Sequence, residues 1–321
     1  MNAIDRRIRE LEEYAPPRTA QPDFADFWNL IQSRYRDRPA QDARSPADAL
    51  SSWNTRVYDI AYRGFDDTPI RGWFLVPAGQ QRPVPCVVVF PGYTGGRGYP
   101  FQHAALAALG FAVLAVDVRG QGGATGNRLT SESGMSRGWV TQGIEDLMRS
   151  YYLAMLVDAW QAIEWAARQP EVDPARIASF GASQGGGLAL AAAALSGRTA
   201  AAVGHIPNLC HLDYAILHST GSASEIAAYC ERHPDRLADV LKNLSYFDLM
   251  NLGERISVPS YWSVGLKDAV CPPETVFAAY SRAGGDKRIA VMPFTGHAVT
   301  DYHFYESMLF LKERLGEGAE A

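Results

Sequence analysis

Positive charge is what this sequence has little of. Its 30 Lys and Arg face 35 Asp and Glu, for a net charge of −5 and a pI near 5.8. The basic stripe of a nucleic-acid-binding face is therefore missing. Long apolar runs are missing as well: none reaches the roughly 18 residues that suggest a membrane span. The nearest are 86–90, which has the length of a strand, and the Ala-rich run after Gly187, which reads as a buried helix. The opening text MNAIDRRIRELEEY has no apolar core, which argues against a secretory signal. Cysteine is scarce and scattered: Cys86, Cys210, Cys230 and Cys271 form no CxxC pair. A reduced, cytoplasmic protein is the expectation, with Cys86 a small hydrophobe in its strand and a Cys210–Cys230 bridge the minor alternative. There is no internal repeat and no low-complexity tract.

What is abundant is apolar material, 47% of 321 residues, enough for a large core. Residues 16–35 read as an N-terminal arm, with DFADFWNLIQSRY apolar at helical spacing and Pro22-Asp23 able to start the helix. Residues 57–77 alternate like a hairpin. Thereafter short, continuously apolar runs (86–90, 112–118, 177–183, 201–206, 260–266 and 288–293) alternate with helical segments. Such runs belong to strands covered on both faces, as in a mostly parallel sheet. The expected organisation is a helical arm over 1–56 packed on an α/β domain over 57–321, with helices on both faces of the sheet; the G-x-S-x-G turn at Gly181–Gly185 makes it an α/β-hydrolase fold. The stretch between 206 and 260 is too long for a plain crossover and predicts an insertion at about 207–256, near the active-site edge.

The strongest local signal is SFGASQGGGLAL at 179–190, which holds G-x-S-x-G as Gly181-Ala182-Ser183-Gln184-Gly185. A nucleophilic serine on a tight strand-to-helix turn needs small flanking residues and gains from the positive end of the helix behind it. An incidental Ser in a Gly-rich turn is the bland alternative, and the apolar strand before and Ala/Leu-rich helix after argue against it. A serine hydroxyl needs a base. Of seven histidines, His297 follows the last predicted strand, whereas His303 falls at the start of the terminal helix; chain order favours His297. Asp268 follows the preceding strand and suits the acid that orients the base, with helix capping before Pro272-Pro273 as its bland reading. Asp286 precedes a strand and fits less well. An oxyanion hole needs two backbone N–H groups: Gln184, next to the nucleophile, and Tyr93 in the loop FPGYTGG after the strand at 86–90. Tyr93 as a plain loop aromatic stays open.

The text DVRGQGG at 117–123, GASQGG at 181–186 and the His297 loop together resemble the acetyl xylan esterase and cephalosporin C deacetylase family, carbohydrate esterase family seven. PDFADFW at 22–28, GWVTQGI at 138–144, YFDLMNLGERI at 246–256 and SVGLKDAVCPPETVFAAY at 263–280 extend the resemblance over nearly the whole chain. The resemblance implies deacetylation of small acetylated sugars, xylo-oligosaccharides and cephalosporin C. It implies the triad Ser183, Asp268 and His297, oxyanion donors at Tyr93 and Gln184, and no cofactor or metal. It also implies an intracellular ring-like hexamer. Arg119, Gly120 and Gln121 of RGQ would brace loops near the nucleophile, with an ordinary surface ion pair the bland reading for Arg119. Two positions depart from the pattern. The family's His-Glu pair is His297-Ala298 here, and Pro91 stands before Gly92 where members often carry His. The expected partner is a small acetylated ester, with no nucleic acid and no membrane. A short-chain carboxylesterase or peptidase on the same scaffold is the rival, and a non-catalytic binding protein the remote one.

Overall fold

The structure, a computed structural model, describes residues 1–36, 38, 41–52, 54–131 and 137–316. Nine strands form one sheet: β1 (Ala43–Pro46), β2 (Thr55–Arg63), β3 (Pro69–Pro77), β4 (Val84–Phe90), β5 (Ala112–Val116), β6 (Val172–Ala182), β7 (Thr199–His205), β8 (Ser260–Gly265) and β9 (Lys287–Met292). Their order is β1-β2-β3-β5-β4-β6-β7-β8-β9. The first three run antiparallel to their neighbours, and from β5 onward every pairing is parallel. This is the α/β-hydrolase architecture.

The helices are α1 (Ala3–Glu12), α2 (Phe24–Arg36), α3 (Ala104–Ala108), α4 (Tyr151–Ala167), α5 (Gln184–Ser196), α6 (Leu212–His218), α7 (Ala223–Arg232), α8 (Leu237–Ser245), α9 (Leu249–Leu252), α10 (Pro273–Arg282) and α11 (Asp301–Leu315). No helix among the described residues is long and apolar enough to cross a membrane. The continuous apolarity of the strands now has its physical reason. Successive side chains leave a strand on opposite faces. Cys86 and Val88 of β4 and Leu114 of β5 join a core with α2, α4, α5 and α10. Val87 and Val113 join a second core with Leu106 of α3 and Phe310, Leu311 and Leu315 of α11.

The N-terminal segment differs in part from its sequence reading. It contains a strand, β1, which extends the sheet beside β2, and a first helix, α1, ahead of the expected one. The arm is held by Leu11, Phe27, Trp28 and Ile31, all buried, by the Trp28 indole N–H donating to the Tyr246 carbonyl at 2.9 Å, and by an Arg7–Glu274 ion pair. Four helices, α6 to α9, lie between β7 and β8 in the stretch expected to be inserted. All four cysteines are buried and free, so Cys210 and Cys230 are not bridged.

α11 is tied to the sheet by a buried histidine. His205, the last residue of β7, has Nδ1 2.9 Å from Ser263 Oγ and Nε2 3.0 Å from Ser307 Oγ. The Ser307 hydroxyl proton goes to the Phe304 carbonyl at 2.7 Å, so its oxygen accepts from His205 Nε2–H and Nδ1 accepts from Ser263. That arrangement uses the neutral ring, and burial, helped by nearby His303, pushes the His205 pKa down from 6.5 to about 4. Between these values only the unfolded chain takes up the proton, so this contribution to stability is complete above pH 6.5 and is lost as pH falls toward 4. The loss amounts to about 3 kcal/mol at the acid end. Urea denaturation should therefore show the stability advantage of the native chain over His205→Gln shrinking between pH 7 and about 4.5; an advantage independent of pH would contradict the assignment.

Candidate active site

The turn between β6 and α5 organises the site. Ser183 adopts φ 59°, ψ −123°, a conformation that side chains other than glycine avoid. It is held there on both sides. The Ser183 N–H donates to the His205 carbonyl at 2.9 Å, and the Ser183 carbonyl accepts from Gly187 N–H at 3.0 Å and Asn208 N–H at 2.9 Å. Closeness is the second requirement. A Cβ on Gly181 would overlap the backbone of Gly185, and one on Gly185 would overlap the Phe90 carbonyl at the end of β4. The glycines of the motif thus let the helix start against two strands, and the serine side chain is left at their carboxyl edge.

Three loops at that edge converge on Ser183. His297, beyond β9, has Nε2 2.9 Å from Ser183 Oγ. Its Nδ1 lies 2.8 Å from Asp268 Oδ2, beyond β8. The Asp268 side chain is fully buried while the imidazole is about a quarter exposed. Asp268 Oδ1 accepts from the N–H groups of Val270 (2.8 Å) and Cys271 (2.9 Å), so the carboxylate also shapes its own turn. Orientation and capping are both done by one side chain. Burial, and then the Asp268 charge, push the neighbouring Cys271 thiol well above its ordinary range, so it stays protonated and poorly nucleophilic. His303 sits in the first turn of α11 with Nδ1 2.6 Å from Thr300 Oγ1, and Asp286 pairs with Arg314; neither bonds to Ser183 or His297.

The His297 loop rests on backbone. Leu266 N–H donates to Met292 O and Lys267 N–H to Thr295 O, each at 3.1 Å. Gly265 lies so close to the Thr295 and Gly296 carbonyls that a Cβ would stand 2.5 Å from the first and 2.6 Å from the second. Ala298 N–H turns back to the Gly296 carbonyl at 2.9 Å. A carboxylate at position 298 is not needed to hold this loop.

Above the serine passes the loop after β4, close enough that a Cβ on Gly92 would be 4.0 Å from Ser183 Cβ. Among the described residues, neither the Tyr93 nor the Gln184 backbone N–H finds a protein acceptor. Unfilled donors on either side of a nucleophile are what a developing oxyanion requires. Gln121 links the two: its Nε2 donates to Gln184 Oε1 at 2.9 Å and to Tyr151 Oη at 3.0 Å, while its Oε1 accepts from Thr94 N–H at 2.9 Å.

Arg119 is no surface residue. It is wholly buried, with Nε 2.6 Å from Asp158 Oδ2, one terminal nitrogen 2.9 Å from Asp158 Oδ1 and the other 2.9 Å from Asp66 Oδ1. Burial works against its charge, but the two carboxylates outweigh it and hold the guanidinium firmly protonated. Its carbonyl accepts from the Tyr151 hydroxyl at 2.5 Å, and Gly120 beside it takes φ +68°. Asp158, missed in the sequence reading, was signalled there: it is one of two carboxylates in the largely apolar α4, and a buried carboxylate calls for a partner. Among the described residues no group of three or more His, Cys, Asp or Glu is arranged to hold a metal.

Beside Tyr93 opens a cavity of about 850 Å³. Tyr93, Leu129 and Trp139 supply its apolar wall, and Thr125, Asn127, Gln142 and Glu225 much of its polar one. Trp139 falls in the GWVTQGI text without a role assigned to it, and Glu225 carries no signal in the sequence reading.

Set against known proteins, the chain matches the acetyl xylan esterase family over residues 1–315. The acetyl xylan esterase of Paenibacillus sp. R4 is 36% identical and superposes with a TM-score of 0.93 over 96% of this chain and 99% of that one. Acetyl xylan esterase 1 of Thermoanaerobacterium sp. JW/SL YS485 is 29% identical, with a TM-score of 0.90 over 95% and 97%. The acetyl esterase Axe7A of Xylanibacter ruminicola is 25% identical over 94% of this chain and 70% of its own length. On this agreement of text, fold and site geometry, the chain belongs to the acetyl xylan esterase family and is a hydrolase of carboxylic esters.

Proposed function

We propose that Ser183, His297 and Asp268 carry out deacetylation of small acetylated sugars by a two-step acyl transfer. His297 takes the Ser183 proton as the hydroxyl oxygen adds to the acetyl carbonyl. Asp268 fixes the imidazole tautomer and stabilises the imidazolium. The Tyr93 and Gln184 N–H groups bind the tetrahedral oxyanion. His297 returns its proton to the departing sugar oxygen, leaving an acetyl-serine; water, deprotonated by the same imidazole, then releases acetate. The observation that carries this reading is the unbroken line from Asp268 Oδ2 through His297 to Ser183 Oγ, at 2.8 Å and 2.9 Å, beside two backbone donors that have no acceptor among the described residues.

The leaving group is read from the cavity. Its lining, with hydroxyl, amide and carboxylate groups around Tyr93 and Trp139, suits a sugar, whose faces pack on aromatic rings and whose hydroxyls need partners. Acetylated xylo-oligosaccharides and cephalosporin C are the substrates we assign. Within the same proposal, residues 1–56 brace a hydrolase domain of 57–321, and the insertion at about 207–256 supplies a cavity wall through Glu225. We also assign a cytoplasmic homo-oligomer, a hexamer by family likeness; the exposed side chains of Phe294, Tyr302 and Tyr305 offer apolar area that subunit contact would cover.

Hydrolysis of 4-nitrophenyl acetate tests the chemistry. Ser183→Ala should remove essentially all activity, and Asp268→Asn should lower kcat roughly 10³–10⁴-fold with the fold intact, because the imidazole loses its tautomer. Full activity in Ser183→Ala would refute the site. A chain-length series of 4-nitrophenyl esters tests the substrate class: kcat/KM should fall steeply from acetate to octanoate, and equal rates would favour a general carboxylesterase.

A further inference from the structure

Tyr93 is gripped from outside its own loop. Its hydroxyl donates to Glu225 Oε2 at 2.6 Å and accepts from the Trp139 N–H at 3.2 Å, and its ring meets Trp139 edge-on with centroids 5.5 Å apart. Glu225 stands in the first turn of α7, within the segment between β7 and β8. Gly138 packs against the same carboxylate: at φ +92° it has the backbone freedom of glycine, and a Cβ there would overlap Glu225. Three segments distant in sequence therefore meet at one phenol. Burial and the carboxylate both push the ionisation of that phenol far up, which keeps it a donor.

The residue after Tyr93 explains why such a grip matters. Thr94 is β-branched yet takes φ 67°. The turn that contains it is closed by Gly95 N–H donating to the Gly92 carbonyl at 3.0 Å, and a β-branched residue at that φ is costly. Gln121 holds one end through the Thr94 N–H. Glu225 holds the other through the Tyr93 phenol. The peptide N–H of Tyr93 is carried one bond from the Cα whose phenol Glu225 holds.

We infer that Glu225 is a positioning residue for ester hydrolysis: by binding the Tyr93 phenol it aims the Tyr93 N–H at the oxyanion. This rests on the reading of Tyr93 as an oxyanion donor. Glu225 touches no reacting atom. A charged acceptor holds a phenol in a shorter and stronger bond than a neutral one. A misdirected N–H costs most where full charge gathers on the oxygen, which is in the transition state, and little in the ester ground state. The loss therefore falls on kcat rather than KM.

Steady-state hydrolysis of 4-nitrophenyl acetate by the full chain reads this directly. Glu225→Ala should lower kcat about tenfold and leave KM within about twofold. Tyr93→Phe, which deletes only the hydroxyl and guards against a misfolded Ala variant, should do the same. The double variant should be no slower than either single, since both cut one link. Glu225→Gln, whose amide oxygen still accepts from the phenol, should recover most of the rate. Phenylboronic acid, which forms a tetrahedral anion on the serine, should bind the Ala variant about tenfold more weakly in parallel. Unchanged kcat in folded Glu225→Ala and Tyr93→Phe, or losses that multiply in the double variant, would overturn the inference. Those results beside an inactive Ser183→Ala would remove Glu225 alone; an active Ser183→Ala would remove the site reading beneath it.

Discussion

The whole site hangs on one backbone constraint, the turn at Ser183. A serine at φ 59° and ψ −123° is unfavourable by on the order of 1–3 kcal/mol, and it persists because its surroundings over-determine it. Its N–H is taken by β7 and its carbonyl by two N–H groups, one from α5 and one from Asn208. The glycines at 181 and 185 remove the atoms that would forbid the approach of α5 to β4. Because the turn is continuous with β6 and α5, bonded to β7 and packed on β4, the hydroxyl is placed by the centre of the parallel sheet. A mobile hydroxyl would surrender the advantage of having its base already in hydrogen-bond reach.

Around that fixed point the two halves of the chemistry are supported differently. The base and its acid sit on turns secured by main chain: Lys267 and Leu266 bond to the loop that carries His297, and Asp268 Oδ1 closes its own turn. The oxyanion side is secured by side chains. Gln121 joins Gln184 to Thr94, and beneath it Arg119 joins the loop after β5 to α4 through a buried pair with Asp158. Removing one partner of such a pair strands a charge in the interior, at a cost of roughly 3–5 kcal/mol. Its worth lies in pinning the RGQ loop, and so Gln121, to a rigid helix.

What could be read in the sequence follows this division. The Ser183 turn was legible because its steric demands are local: small residues at fixed offsets between an apolar strand and an Ala-rich helix. Asp268 and His297 were legible through chain order, since parallel strands deliver their following loops to one edge. The alternation of apolar runs with helices likewise announced a sheet covered on both faces. Long-range partners were not legible. Nothing near RGQ names Asp158 or Asp66, and nothing in the first turn of α7 marks Glu225 as facing Tyr93. β1 escaped notice because ARSP has no apolar alternation and ends in proline, which only an edge strand tolerates. α1 gives a weak signal because it is strongly charged, with only Ile4, Ile8 and Leu11 at helical spacing and Leu11 alone buried.

The departure at Ala298 sharpens the contrast between the two halves. Where the resemblance drawn from the sequence leads one to expect a carboxylate this chain carries the methyl group of Ala298, yet His297 meets both its partners at ordinary hydrogen-bond distances. The loop can spare that side chain because its geometry comes from peptide groups packed against Gly265, and backbone bonds survive substitution of the residues that carry them. The loop proposed to bind the oxyanion has one backbone bond of its own, from Gly95 N–H to the Gly92 carbonyl, but Tyr93 and Thr94 are tied to other segments through the side chains of Glu225 and Gln121, and the Tyr93 ring is also a wall of the cavity. Changes that remodel the cavity therefore reach the chemistry through Tyr93 sooner than changes around the base do. On the proposed reading, specificity and transition-state stabilisation share Tyr93, whereas proton transfer through His297 stands apart from both.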